Sequence, residues 1–365
     1  MTSMPKSMLI NGKEWLSDNS NNPDFSKSEE RAVIRFLSEW FDESDKISLK
    51  TSGSTGLPKQ IWVKKFALVE SANRTIQYFG LQKGMKALLC LSPEFIAGKM
   101  MVIRSLIGEL NLITTSFQSN PLFSLTEEID FAAMVPLQIN TAMELSPEKL
   151  HLIKTLILGG SAIGTELEGS LRKLPNPVFH TYGMTETLSH IAVRRLNGEN
   201  ASQWFEAMPD VNLSLHSDGI LVIDAPYLSI RELKTNDIAE FNTLGQFRII
   251  GRADDAIISA ANKIHPVDLE KKIYLGLGLK CYISAKSEVS GGDSLVLVVE
   301  NSGSVKDLYR LWSQLEACLE NHEIPRFIFE LNEVPMLDSG KINRRGLRQM
   351  VQSFFEHPQP FANNP

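Results

Sequence analysis

From residue 64 onward, short apolar runs alternate with longer segments of helical pattern, and this rhythm restricts the fold more than any other feature of the chain. Phe66 to Phe79 reads as a helix and Lys86 to Leu91 as a buried strand. Gly98 to Leu110 reads as a second helix, followed by a strand over Asn111 to Thr115. Phe131 to Val135 and Thr155 to Leu158 continue the series, with helical patterns near 137–143 and 165–173. Strands that alternate with helices predict a parallel sheet with helices on its faces. From about 191 to 250 the rhythm changes to successive strands with turn signals at Asn197-Gly198 and Ser217-Asp218-Gly219, a β-rich annex. After Gly251-Arg252-Ala253-Asp254-Asp255 a second unit is expected, with a helix at Pro266 to Leu275 and strands at 280–285 and 294–300. A helix at Val305 to Leu319 and a strand at Arg326 to Phe329 complete it. The expected fold is thus a large α/β domain over 1–252, with mixed or parallel sheets, flanking helices and the annex. A small α+β domain over 253–365 follows. Residues 1–46 are polar and poorly patterned apart from a short helix at Ala32 to Trp40.

One stretch carries almost nothing to bury: Lys50-Thr51-Ser52-Gly53-Ser54-Thr55-Gly56-Leu57-Pro58-Lys59. Its composition suits a flexible linker. However, Ile47-Ser48-Leu49 before it and Ile61-Trp62-Val63 after it read as strands, which predicts a tight loop held at both ends. Successive backbone N–H groups in such a glycine-rich turn form a concave nest for an anion. The hydroxyls of Thr51, Ser52, Ser54 and Thr55 add donors and Lys59 a positive charge, so phosphate is the expected guest. The loop is not a Walker A motif, because Pro58 precedes Lys59 and a strand follows.

Two further clusters share this character. Tyr182-Gly183-Met184-Thr185-Glu186-Thr187 follows the apolar pair Val178-Phe179 and so lies where a strand meets a loop. Ligands of open α/β sheets bind at that end of the strands. There Tyr182 is suited to stack on a base, Thr185 to bond a phosphate oxygen and Glu186 to hold Mg²⁺. Taken alone the cluster is better read as an ordinary surface turn. Pro335-Met336-Leu337-Asp338-Ser339-Gly340-Lys341 presents Lys341 at the edge of a turn, where a lone lysine is usually only a solvated charge.

In this order and spacing the clusters resemble the acyl- and aryl-adenylating ligases, which include acyl-CoA synthetases, adenylation domains and firefly luciferase. That family's phosphate loop, [ST]-S-G-[ST]-T-G-x-P-K, is matched at every position by Thr51 to Lys59. Its Y-G-x-T-E loop matches Tyr182 to Glu186, its G-R-x-D segment Gly251 to Asp254, and its P-x4-G-K motif Pro335 to Lys341. The resemblance spans about residues 47 to 348 and implies ATP, Mg²⁺ and coenzyme A as partners of a small carboxylate. It implies that Thr51, Ser52, Gly53, Ser54, Thr55, Gly56 and Lys59 cover the β- and γ-phosphates. Gly159, Gly160 and Ser161 would pass along the adenine face, with Tyr182 and Gly183 at the base. Thr185 would contact the α-phosphate and Glu186 the metal. Asp237, in Thr235-Asn236-Asp237, would hold the ribose hydroxyls, and Arg252 would reach the ribose or phosphate region. Lys341 would be the catalytic lysine, and Asp254 the hinge about which the small domain turns.

Asp255-Ala256-Ile257-Ile258-Ser259-Ala260-Ala261-Asn262-Lys263-Ile264-His265-Pro266 looks like the D-x-I-I-S-G-G-x-N-I-x-P form found in 2-succinylbenzoate–CoA ligases of menaquinone biosynthesis. Such a substrate has a second, non-reacting carboxylate, for which His190, Arg104 and Lys99 are the candidate donors. Two departures stand out. The chain before the phosphate loop is far shorter than is usual in the family, so the acyl pocket must be framed differently. Ala260-Ala261 also replaces the usual glycines, which would narrow the path of the thiol. The alternative readings are another acyl- or carrier-protein ligase, or a non-catalytic nucleotide-binding protein. The formal net charge of −6 gives no reason to expect nucleic acid or an anionic membrane. The absence of an apolar leader or span, and the well-separated Cys90, Cys281 and Cys318, fit a cytoplasmic protein with free thiols.

Overall fold

The computed structural model describes residues 4–18, 21–50, 60–259, 262–288, 292–300, 308–337 and 342–356. The chain sorts into two compact units, the first comprising Met1–Ser214, Ile223–Leu233 and Asn242–Phe247, the second Leu215–Val222, Lys234–Phe241 and Arg248–Pro365.

The first unit opens with a hairpin, β1 (Ser7–Ile10) and β2 (Lys13–Leu16), in the segment expected to be unpatterned. Asn11 and Gly12 turn it with φ of 51° and 75°. An Asn-Gly pair between apolar runs is a strong short-range hairpin signal, and here it is decisive. Helix α1 (Ser28–Trp40) starts four residues before the expected helix and buries Val33, Phe36, Leu37 and Trp40. Strands β3 (Lys46–Lys50) and β4 (Gln60–Lys64) then pair antiparallel from Lys46↔Lys64 to Lys50↔Gln60, as the flanks of the glycine-rich stretch predict. Helix α2 (Lys65–Phe79) ends at Gly80, whose left-handed backbone lets Leu81 N–H reach the Ile76 carbonyl at 2.9 Å.

The expected alternation follows: β5 (Lys86–Leu89), α3 (Ile96–Ile107), β6 (Asn111–Thr114), β7 (Phe131–Met134), α4 (Pro136–Leu145), β8 (Leu156–Leu158), α5 (Thr165–Leu171) and β9 (Val178–Gly183). After β10 (His190–Arg195) and β11 (Glu206–Ala207), the sheet has nine strands in the order β11-β10-β9-β8-β7-β5-β6-β1-β2. The run from β9 to β1 is parallel, and β2, β10 and β11 make antiparallel margins. The chain leaves β5 toward β6 and returns on the other side at β7, so the strand order reverses there. Ligands of open α/β sheets bind beside such a point, at the carboxyl ends of the strands. Leu88, Leu122, Ile129, Ala132, Ile139 and Leu158 pack together in a buried apolar cluster on this sheet.

The annex is a four-stranded sheet, β12 (Asn212–Leu215), β13 (Ile220–Ala225), β14 (Ile230–Phe241) and β15 (Phe247–Arg252), and the division between the units falls within its strands.

The remainder of the second unit has a short hairpin, β16 (Ile257–Ser259) with β17 (Asn262–Ile264), and helix α6 (Pro266–Leu277). Strands β18 (Tyr282–Ser287) and β19 (Asp293–Glu300) pair antiparallel, helix α7 (Leu308–Cys318) follows, and β20 (Phe327–Leu331) joins β19 in parallel. The period of two along β19 sends Leu295, Leu297 and Val299 to the core beneath α6 and α7. Val296 and Val298 go to the other core, with Leu347 and Val351 of α8 (Arg344–Glu356). Helix α8 is absent from the sequence reading, although Leu347, Val351, Phe354 and Phe355 recur at helical spacing. Among the described residues no helix is long and apolar enough to cross a membrane. The three cysteines are free.

Candidate active site

Strands β8 and β9 are parallel neighbours, with Leu158 opposite His180, so the loops that leave them lie side by side. Gly159 N–H donates to the Met134 carbonyl at 3.1 Å, and Thr181 Oγ1 donates to the Leu158 carbonyl at 3.0 Å. Gly160 has φ of 85°, a conformation open to glycine and strained for other residues. Ser161 then turns its carbonyl toward His180 Nε2, 3.2 Å away. The direction of that bond is fixed from the far side. Arg194 Nε, which can only donate, lies 3.2 Å from His180 Nδ1, so the ring carries its proton on Nε2 and donates it to Ser161. Burial, and then the Arg194 charge, push the His180 pKa down to about 3, which keeps this tautomer neutral.

At the end of β9, Tyr182 is half-buried, its ring 5.4 Å from Phe247 and 6.1 Å from Phe205. A side chain on Gly183 would bring its Cβ within 2.2 Å of the Ser189 carbonyl, so glycine alone lets the returning chain pass. Thr187 is fully buried and winds the loop: its hydroxyl accepts Met184 N–H at 2.9 Å and lies 2.8 Å from the Ser189 carbonyl. The result leaves Thr185 partly buried and Glu186 exposed at the strand end. Thr187 has no role in the sequence reading, although it directly follows the motif.

Of the three candidate carboxylate donors, Arg104 and His190 come together. Arg104 is 2% exposed and donates through Nη2 to Ser189 Oγ at 2.5 Å. Its Nε has no partner, and no carboxylate pairs with it among the described residues. Ser189 Oγ lies 3.4 Å from His190 Nδ1, and His190 Nε2 lies 3.3 Å from Thr75 Oγ1. Thr75 donates its own proton to the Ser71 carbonyl one turn back, at 3.2 Å. Its oxygen therefore accepts from His190 Nε2–H, which leaves Nδ1 to accept from Ser189. Every bond in the row runs away from the guanidinium. Burial, and the nearby Arg104 charge, hold the His190 pKa well below 6.5, so the ring is neutral. Burial alone draws the Arg104 pKa from 12.5 to about 9, still cationic at neutral pH. Lys99 does not join them: its ammonium pairs with Glu39 at 3.3 Å and sits 4.6 Å over the Phe36 ring.

In the second unit Asp237, Arg252 and Asp254 meet. Arg252 donates through Nε and Nη2 to the two Asp254 oxygens at 3.0 and 3.2 Å, and through Nη1 to Asp237 at 3.3 Å. Thr235 Oγ1 accepts Asp237 N–H at 3.0 Å and so sets that aspartate's place on β14. Met336 bridges Ile342, and Asn343 N–H donates to the Pro335 carbonyl at 2.8 Å. The next residue, Arg344, grips Glu270 with bonds of 2.9 and 2.8 Å and lies 3.7 Å from Asp255. Sequence reasoning gives Arg344 no role, since its partners stand far away in the chain. Thr51, Ser52, Gly53, Ser54, Thr55, Gly56, Lys59, Ala260, Ala261 and Lys341 lie outside the described residues.

Among the described residues there is no group of three or more His, Cys, Asp or Glu side chains that could hold a metal alone. The exposed carboxylate of Glu186 suits one oxygen ligand of Mg²⁺, an ion that characteristically takes one or two protein carboxylates and completes its shell with substrate phosphates and water. The residues present thus fit a metal that arrives with its nucleotide.

Known proteins resemble this chain in sequence and fold. Residues 22–224 match the family described as AMP-binding enzyme. The chain is 24% identical over 329 residues to the 2-succinylbenzoate–CoA ligase of Lactococcus lactis, covering 84% of this chain and 71% of that one. An acyl-CoA synthetase (AMP-forming)/AMP-acid ligase II-like protein from Dyadobacter fermentans is 30% identical, with a TM-score of 0.62 over 92% of this chain and 98% of that one. The fold also matches o-succinylbenzoate coenzyme A synthetase from Bacillus subtilis, solved with ATP and magnesium ion, at a TM-score of 0.68 and 21% identity, over 82% of this chain and 69% of that one. The large α/β domain and small α+β domain expected from the sequence are those of these ligases. By its motifs, its fold and its matched residues, the chain belongs to the AMP-binding enzyme family.

Proposed function

We propose that this protein is an AMP-forming acid–thiol ligase whose acid is 2-succinylbenzoate, and that it serves menaquinone biosynthesis. The substrate carboxylate attacks the α-phosphorus of ATP, the bond to the β-phosphate oxygen breaks, and acyl-adenylate and diphosphate result. The thiol of coenzyme A then attacks the acyl carbon and AMP leaves. Positioning and charge neutralisation are the protein's main tasks in the first half. The loop from Thr51 to Lys59 receives the β- and γ-phosphates, and Gly159-Gly160-Ser161 with Tyr182 and Gly183 receives the adenine. Thr185 bonds the α-phosphate, Glu186 serves Mg²⁺, and Asp237 with Arg252 receives the ribose. Lys341 stabilises charge at the reacting carboxylate. The adenylation domain spans 1–252 and the small domain 253–365, with Asp254 as hinge.

The observation that carries the choice of acid is the buried Arg104. A guanidinium buried without a carboxylate partner is costly, and it is accounted for if a ligand brings the anion. Of the two carboxylates of 2-succinylbenzoate, one is adenylated and the other is free to take that place. The names of the relatives point to the same acid.

The test is AMP release and thioester formation by purified protein with ATP, Mg²⁺ and coenzyme A, across 2-succinylbenzoate, benzoate, acetate and a medium-chain fatty acid. Turnover confined to 2-succinylbenzoate is expected. Turnover of a monocarboxylate instead would keep the ligase chemistry and remove this substrate. No turnover of any acid, with ATP still bound, would leave a non-catalytic nucleotide-binding protein.

A further inference from the structure

Behind the loop assigned to the adenine face lies a buried row of polar groups without a role in the reaction as described. Glu168 on α5 pairs with Arg194 on β10 at 2.7 Å, and their side chains are only 15% and 8% exposed. Arg194 also donates through Nη1 to Glu168 Oε1 at 3.3 Å and to the Ser202 carbonyl at 3.4 Å. Its Nε goes to His180, whose ring passes the order on to the Ser161 carbonyl. Phe205 closes the row from one side, 5.1 Å from the His180 ring and 5.4 Å from the guanidinium. Every group in the row other than the imidazole is a donor or an acceptor by necessity. Glu168 cannot donate and Arg194 cannot accept, so the imidazole has one orientation and one tautomer available to it. A buried ion pair is a poor way to gain stability, because desolvation offsets the attraction. Setting the direction of a hydrogen bond is something an apolar pair of the same volume could not do.

The loop at the other end needs that direction. Gly159 is tied by its N–H to Met134, and Gly160 turns through a positive φ, which leaves the Ser161 carbonyl as the next point at which the backbone can be held. With that carbonyl drawn toward His180, the peptide planes of 159–161 keep one orientation for whatever lies against them. We propose that Arg194 is a positioning residue for the nucleotide: paired with Glu168, it holds His180 so that the imidazole clamps Ser161 and sets the surface on which the adenine rests. This rests on the reading of residues 159–161 as the adenine face.

The experiment compares AMP binding by calorimetry, and KM for ATP, coenzyme A and the acid, across variants of the full chain. Glu168→Gln/Arg194→Met removes both charges together and so leaves no buried ion unpaired. It should weaken AMP about tenfold, equivalent to about 1.4 kcal/mol, and raise the ATP KM alike, with the other two KM values unchanged. His180→Phe should do the same. His180→Gln, which keeps an amide N–H within reach of Ser161, should recover most of the loss, a rescue that a purely structural role would not give. AMP affinity within twofold of the parent in both the double variant and His180→Phe would overturn the proposal. Gly160→Ala separates the two levels of inference. If it weakens AMP while the double variant and His180→Phe do not, Arg194 alone is misassigned. If it too leaves AMP untouched, the assignment of the loop to adenine falls, and the proposal with it.

Discussion

Replacing Arg104 by methionine should make the empty protein more stable and a worse enzyme. The guanidinium is 2% exposed, lacks a carboxylate partner among the described residues and leaves Nε unbonded. Its pKa falls from 12.5 to about 9 on burial, and at about 1.36 kcal/mol per pKa unit the charged form carries an electrostatic cost of ~5 kcal/mol. Arg104→Met removes that cost, keeps much of the aliphatic packing and frees Ser189 to serve His190 alone. A net gain of about 1–3 kcal/mol is expected, in line with apolar replacement of buried charge elsewhere. In urea unfolding the midpoint should rise. The same variant should raise the KM for 2-succinylbenzoate about 10- to 150-fold, the worth of charge-assisted bonds of about 1.5–3 kcal/mol. A thermal-shift assay ties the two together: 2-succinylbenzoate should stabilise the parent more than benzoate does, and the variant equally little with either. A variant that unfolds at lower urea than the parent would show that the guanidinium is already satisfied in the empty protein. The reasoning that it awaits an anion would then be wrong.

Stability should fall with acid through two histidines. Both His180 and His190 are buried with pKa values depressed below 6.5, His180 to about 3, so the unfolded chain binds protons that the folded one refuses. Both contributions are complete above pH 6.5 and are lost as pH falls below it; for His180, titrating at about 3, the loss is about 2 kcal/mol at pH 5. Urea midpoints measured from pH 7 to 5 should drop accordingly, and His190→Asn should make the drop smaller. Thr187→Val leaves Met184 N–H without its acceptor and should cost about 1–3 kcal/mol, with a raised KM for ATP as the loop loosens; an unchanged KM would mean the loop is held by other means. Within the second unit, Arg344→Met should cost about 3–5 kcal/mol by leaving Glu270 buried and unpaired. Glu270→Gln/Arg344→Met should recover most of it, and a double variant as unstable as the single would refute the pairing. Lys341→Ala should nearly abolish adenylate formation yet spare thioester formation from preformed adenylate, read by supplying each half-reaction separately.

Much of the architecture was legible because it depends on patterns local in the chain. Apolar runs of four residues such as Phe131–Met134 can hardly be anything but buried strands once helical segments flank them, and β19 shows its two faces residue by residue. The losses have physical causes as well. The first hairpin rests on Asn11 and Gly12 inside a polar segment, where composition outweighed the turn signal. Helix α8 hides behind a basic start, Arg344-Arg345, which masks the apolar positions that follow at helical spacing.

The site divides along the same line. Motifs name residues held at fixed spacing on loops such as Tyr182 to Glu186. They do not name the groups that tell those residues which way to face. Arg194 reaches His180 across β10 and β9, Thr75 reaches His190 from α2, and Arg344 reaches Glu270 over 74 residues of chain. In each case the pairing exists only after sheet register and helix packing have been settled. What decides the chemistry is then the inventory of donors and acceptors: a threonine already donating to its own helix must accept, and an arginine can only give. Lys99 makes the converse point. It has the charge and lies on the same helix as Arg104, yet Glu39 and Phe36 occupy it. Arg104 differs in that no carboxylate pairs with it among the described residues, and that difference is what makes it the candidate for an anionic ligand.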